Sequence, residues 1–233
     1  MTNRKHAQAA INSGADALMV TGHEAAAHGG DVTSLVLVPS IRQEFPGIPL
    51  VAAGGFANGN GLAGALSLGA DAVAMGSRFA TTKESPLAEP TKRAIVNGTE
   101  ADTIYGSKFD GIPARVLKTP VSKNAMLNRP FITTILYRSF QAARQMNIPL
   151  WKVIPGLITQ YDKMFIMAQF GAATDAIMAA TVHGDTTDKG VQFIGQCQGM
   201  INDIPHVDEL VKRIIKEAQD ISNETSNVLQ FKG

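Results

Sequence analysis

Short apolar runs and glycine-broken polar stretches alternate along the first third of the chain. Pro49 to Ala53 is a short apolar run, the pattern expected of a strand buried on both faces; Asp71 to Met75 reads as the next buried strand and Ala15 to Val20 as a strand before them. Helical patterns lie between them. Lys5 to Asn12 is stopped at Ser13-Gly14, where glycine tolerates a left-handed turn. Leu35 to Phe45 carries Pro39, tolerable only near a first turn, and Gly61 to Leu68 follows the second strand. The sequence Gly14-Ala15-Asp16-Ala17 returns as Gly69-Ala70-Asp71-Ala72, each time at a helix-to-strand junction. Repeated helix–strand units with short connections predict a parallel sheet with helical crossovers, whose chemistry sits at the strand C-termini.

After Arg78 the pattern changes. Glu84-Ser85-Pro86 reads as the start of a helix that closes at Asn97-Gly98. Thr99 to Pro120 reads as extended or looped, with a turn at Asp110-Gly111. Asn128-Arg129-Pro130 is a helix-start signal for a helix to about Met146, and Gln160 onward reads as another, running as far as Val182. His183 to Gly190 is a loop, and the spacing of Gly195 and Gly199 suits a helix packed closely on a neighbour. Val207, Leu210, Val211, Ile214, Ile215, Ala218 and Ile221 make one apolar face of a last helix, and the tail from Asn223 is expected to fray.

Composition narrows the function classes. The net charge is +1 over 233 residues and no basic run exceeds two, which argues against a nucleic-acid surface. A single cysteine, Cys197, excludes an internal disulfide and fits a reducing cytoplasm. The first residues lack the apolar segment of a signal peptide, and the stretch from Met164 to Val182 holds Gln169 and Asp175, too polar for a membrane span.

The chemistry concentrates at two strand ends. Gly54-Gly55 follows the second strand and Gly76-Ser77 the third, placing backbone N–H groups and one hydroxyl at a common rim that suits a phosphate. Asn58 to Gly64 contains a formal G-x-G-x-x-G, but five residues separate the strand from its first glycine, and the position where an acid is needed offers Arg78. It reads as a decoy, with Arg78 sustaining only an NADP-type alternative. His23-Glu24 followed by His28 resembles a zinc motif with one residue too many. Five residues along a helix turn a side chain by about 140°, so no metal is expected. His23 reads as a loop residue satisfied by backbone. His28, set among small residues, can serve as a base near neutral pH.

With Gly-His-Glu-x-x-x-His-Gly at 22–29, Gly54-Gly55 and Met75 to Phe79, the chain resembles the nitronate monooxygenases and the related FMN-dependent enoyl-acyl-carrier-protein reductases. That resemblance implies a TIM barrel of the (β/α)8 type, of which the chain holds the last three strands, followed by a mainly helical domain. It divides the chain into residues 1–85 of an FMN-binding barrel, a helical substrate or lid domain at 86–205, and a C-terminal helix and tail at 206–233. It implies FMN as cofactor, its phosphate on Gly54, Gly55, Gly76 and Ser77, and His28 as the catalytic histidine. Ala26-Ala27 stands where glycine is common in the family, a departure that adds methyl groups to this loop. The implied reaction is oxidation of an alkyl nitronate or nitroalkane by oxygen to a carbonyl compound and nitrite. The alternatives are an enoyl reductase using NAD(P)H, and a non-catalytic flavin-phosphate-binding subunit that self-associates or needs an N-terminal complementing segment.

Overall fold

The computed structural model describes residues 1–109, 112–127, 137, 144 and 173–229. Its first sheet is parallel, in the order β1 (Leu18–Thr21), β3 (Leu50–Ala53), β4 (Ala72–Ala74). Leu18 lies opposite Leu50, and Val51 opposite Ala72. Helices α1 (Arg4–Asn12), α2 (Ser34–Glu44) and α3 (Gly59–Ser67) are the crossovers. The side chain of Asn3 caps α1 by accepting from the His6 N–H, and Asn58 caps α3 by accepting from Gly61. The second aspartate of the repeat is structural. Asp71 accepts from the Leu50 N–H and from Arg42, which ties β3, α2 and β4 together. The Leu50 N–H, followed by the Arg42 guanidinium, holds its carboxyl below the usual range.

One expectation is corrected here. The sheet is covered on one face only by the described residues. Leu18, Val20, Leu50 and Ala52 pack against Ala7, Leu37, Ile41, Leu210 and Ile214, whereas Met19 on the opposite face is half exposed. Continuous apolar runs look alike whether a strand is covered on one side or two, because the period-2 signal is absent in both.

A second sheet is antiparallel, in the order β2 (Ala27–His28), β6 (Ala114–Leu117), β5 (Thr103–Gly106). β5 and β6 lie in the stretch from Thr99 to Pro120 read as extended or looped, within residues 86–205 expected to be mainly helical, and β2 ties them to the first third of the chain. The expected turn at 110–111, the helix from 128 to 146, and the stretch from 160 to 172 lie outside the described residues; residues 173–181 are helical. Helix α4 (Gly76–Ala80) follows β4 directly. The next helix, α5 (Glu89–Val96), starts later than expected, behind Ala88 with Pro90 in its first turn. Glu84 caps the last helix instead, accepting from the Val207 N–H and from His206. Helix α6 (Pro120–Leu127) was not anticipated; reciprocal bonds between Thr119 and Ser122 start it. Gly195 precedes, and Gly199 lies within, a short 3₁₀ helix (Gln196–Met200) in place of an α-helix. Helix α7 (Val207–Leu229) continues through the segment expected to fray. Among the described residues no helix is long and apolar enough to cross a membrane.

Candidate functional site

The glycine rim forms as a cradle. Gly54 and Gly55 take φ +91° and +85°, a backbone region that L side chains rarely adopt. A Cβ on Gly54 would stand 3.0 Å from the Gly22 carbonyl oxygen, and one on Gly55 3.2 Å from Glu24 Cβ. Gly76 differs, since its φ is ordinary and a Cβ there would point into open space. With Ser77, Thr21 and Cys197 these glycines line a cavity of about 260 Å³ with no carboxylate in its wall. The Gly195 N–H donates to Ser77 Oγ at 3.0 Å, which leaves the hydroxyl proton available to a ligand or to the neighbouring thiol. Burial pushes the Cys197 thiol up, so it stays protonated at neutral pH.

The cradle is braced by a residue that spacing alone did not single out. Glu24 accepts from the Ser34 N–H at 3.0 Å, stabilising the N-terminus of α2, while Ser34 Oγ donates to the Gly54 carbonyl at 2.8 Å. The Glu24 backbone carbonyl accepts from Gln196, anchoring the segment that carries Gly195 and Cys197.

His28 is not in the cavity wall. The chain lines the cavity at Ala25 and Ala26, turns at Ala27 with φ +55°, and then pairs His28 with Ala114 across the antiparallel sheet. Ala27 is the one non-glycine residue at positive φ among the described residues, in the loop where the resemblance marks glycine as common. The His28 ring is exposed and sits 5.9 Å from Phe193 in a tilted arrangement. His23 is satisfied by backbone, its Nδ1 donating to the Gly30 carbonyl at 2.9 Å, with its ring edge against Tyr105.

The glycine fingerprint at 59–64 binds the protein itself. The Gly59 N–H donates to the Glu217 carboxylate, which covers the start of α3, and a Cβ on Gly59 would overlap Glu217 of α7. An anion site there is already filled by a protein carboxylate. Arg78, the prop of the NADP-type alternative, is buried and donates to the Asp203 carboxylate and to the Thr81 carbonyl. It is spent on packing.

Parallel strands whose glycine ends surround a carboxylate-free cavity place the candidate site at the C-terminal rim of an α/β sheet. The profile of the nitronate monooxygenase family matches residues 1–217, and the chain belongs to that family. It is 34% identical over 221 residues to a Mycobacterium tuberculosis protein named (3aS,4S,5R,7aS)-5-hydroxy-7a-methyl-1-oxo-octahydro-1H-indene-4-carboxyl-CoA dehydrogenase, covering 92% of this chain and 62% of that relative. A Staphylococcus aureus protein named as a probable nitronate monooxygenase is 36% identical over 113 residues, 44% of this chain and 32% of its own length. The structure of FabK from Thermotoga maritima superposes with a TM-score of 0.75 at 29% identity, over 98% of this chain and 62% of that one. The chain thus spans about three-fifths of the length of the Mycobacterium tuberculosis relative and of FabK.

Proposed function

We propose that this chain carries the phosphate half of an FMN site in a barrel-type flavin oxidoreductase, and that His28 acts on the substrate beside it. The observation that carries this reading is the cradle. Two consecutive left-handed glycines, an open position at Gly76 and the Ser77 hydroxyl face one cavity without a carboxylate. A phosphate fits such a wall, because backbone N–H groups can approach it closely and no like charge opposes it. Met75, ahead of α4, offers no side-chain cap, so the first N–H groups of that turn are open to an anion.

In this reading Gly54, Gly55, Gly76 and Ser77 hold the phosphate, and bound FMN supplies the electron acceptor. His28 removes the proton from a carbon acidified by a neighbouring nitro group, or orients the nitronate already formed. The products are a carbonyl compound and nitrite, with oxygen as co-substrate. Oxygen consumption that depends on propyl-2-nitronate, measured on flavin-loaded protein, tests it; consumption independent of nitronate would overturn it.

A second reading has its own support. The relative matched over 92% of this chain is named for a carboxyl-CoA substrate. The carbon next to a thioester carbonyl is acidified as the carbon next to a nitro group is, so the same imidazole could serve an acyl thioester. Reduction of crotonyl thioester by NAD(P)H, without nitronate turnover, would favour that reading. In both, the open sheet face bearing Met19 is covered in the working protein by a second copy or an N-terminal complementing segment. The three parallel strands among the described residues do not close a barrel, and an apolar face that those residues leave uncovered invites association. Gel filtration of residues 1–233 checks this, with a monodisperse monomer that binds FMN tightly as the contrary result.

A further inference from the structure

We propose that Arg115 is the positioning residue for His28. The proposal rests on the reading of His28 as the group that handles the substrate proton. Arg115 lies on β6 directly opposite Ala27, the strained residue that precedes His28. Its side chain is 4% exposed. Nη2 donates to the His23 carbonyl at 3.2 Å and Nη1 to Thr103 Oγ1 at 3.1 Å, while the guanidinium faces the Tyr105 ring at 5.3 Å. The Tyr105 hydroxyl in turn donates to the Gly29 carbonyl at 3.2 Å. One buried cation and its aromatic neighbour therefore grip the histidine loop on both sides of His28.

No ion pair to Arg115 exists among the described residues, in contrast to the buried Arg78 with Asp203. Its Nε has no hydrogen-bond partner. Burial accordingly lowers its pKa, against the pull of Tyr105 and Glu24. A buried guanidinium without an ion pair is a costly way to fill space, and an apolar side chain of similar length would pack there at less expense. What an apolar side chain could not do is donate to the His23 carbonyl while pairing its backbone with Ala27. Strain held by surrounding structure is characteristic of functional loops. The same strand also fixes the surface His28 rests on, since Val116 bridges to Phe193 and the Leu117 N–H donates to the Gln192 carbonyl.

The test reads the position of the ring before activity. In full-length protein labelled at histidine, the His28 ring protons are followed at one fixed pH through their cross-relaxation with Phe193. Arg115→Met is expected to abolish that contact while the protein keeps a cooperative melt. Arg115→Lys, which can reach one acceptor but not both, is expected to retain part of it. In flavin-loaded protein, Arg115→Met should lower kcat roughly 10–100-fold on a substrate needing proton removal, the scale of a small misplacement, with little change in KM. If Arg115→Met does not fold, Tyr105→Phe decides, because it removes one hydroxyl and should weaken the same contact. An unchanged His28–Phe193 contact in whichever variant folds would overturn the proposal. The reading it rests on fails separately, through His28→Ala with undiminished turnover on neutral substrate while the positional result stands.

Discussion

The two halves of the candidate site are built on opposite principles. The cradle comes from the parallel sheet, where the chain supplies its own geometry through Gly54, Gly55 and Gly76 at strand ends. The His28 side comes from the antiparallel sheet, where residues far apart in sequence contact one loop: Arg115 opposite Ala27, and the Tyr105 hydroxyl on the Gly29 carbonyl. Each half has a buried arginine. Arg78, behind the cradle, is neutralised by Asp203, which Arg213 also grips. Arg115, behind His28, is held by carbonyl, hydroxyl and ring. Behind the cradle two arginines share one carboxylate, whereas the histidine loop carries a left-handed alanine and is held by an arginine without an ion pair among the described residues.

The comparison breaks first at His28. Replacing it by Ala should leave FMN binding nearly intact and lower turnover on neutral nitroalkanes by roughly 10²–10⁴, the scale of a positioned acid or base. Nitronates, already deprotonated, should suffer less, and stopped-flow reduction of the flavin by each substrate distinguishes the two. If the halves are not separable in this way, FMN affinity will fall together with turnover.

Gly76→Val attacks the other half. The new side chain would enter the open space beside the cradle, so flavin absorbance should no longer co-purify while far-ultraviolet dichroism is retained. The φ at Gly76 is ordinary, so loss of flavin would report occupied space and not backbone strain. Retained flavin would place the phosphate elsewhere.

Stability separates the two arginines. Asp203→Ala should cost about 2–3 kcal/mol in urea unfolding, below the usual range for stripping a buried cation of its partner, because the carboxylate is about a third exposed. Arg115→Met should cost about 1–2 kcal/mol, since it removes the charge itself and leaves only acceptors unpaired. Equal losses would erase the distinction.

Acid should act on the cradle side through the same aspartate. Burial raises the Asp203 pKa, but the bonds and charges of Arg213 and Arg78 outweigh it and hold the value below the ordinary one. A depressed carboxylate contributes stability that is complete above its unfolded pKa and fades as pH falls through its folded one. The loss of stability below about pH 4 should therefore be shallower in Asp203→Ala than in the parent. A pH titration of the unfolding midpoint measures both slopes.

The smallest effect is expected at Ala27→Gly. Glycine removes about 1–2 kcal/mol of left-handed strain but adds freedom to the unfolded chain, so the net gain should stay within about 1 kcal/mol. A clear loss of stability would mean that the Ala27 methyl group packs usefully.

Much of the first half was legible because its causes are local. Apolar runs, glycine breaks and the repeat at Gly14 and Gly69 locate the strands of the parallel sheet, and its site residues lie within a few positions of the strand ends. The glycine fingerprint could be discounted by spacing before Glu217 was seen to cover it. The antiparallel sheet left a fainter trace. Thr103 to Gly106 and Ala114 to Leu117 read only as extended chain, and nothing near His28 announced a strand partner 86 positions away, counting from His28 to Ala114. Glu24, Arg115 and Tyr105 carry no local signature, because what they do depends on the atoms brought against them.

The sequence by itself determined the helix–strand alternation, the glycine-ended strands and the family. The first two follow from local sterics and side-chain periodicity, which need no distant partner, and the family from the motifs the chain shares with it. Tertiary structure alone decided which face of the sheet is covered, that Arg78 is spent on Asp203, and that His28 stands outside the cavity wall against Phe193. Those outcomes turn on desolvation and on pairing between groups distant in the chain. Neither exists until the chain has closed on itself.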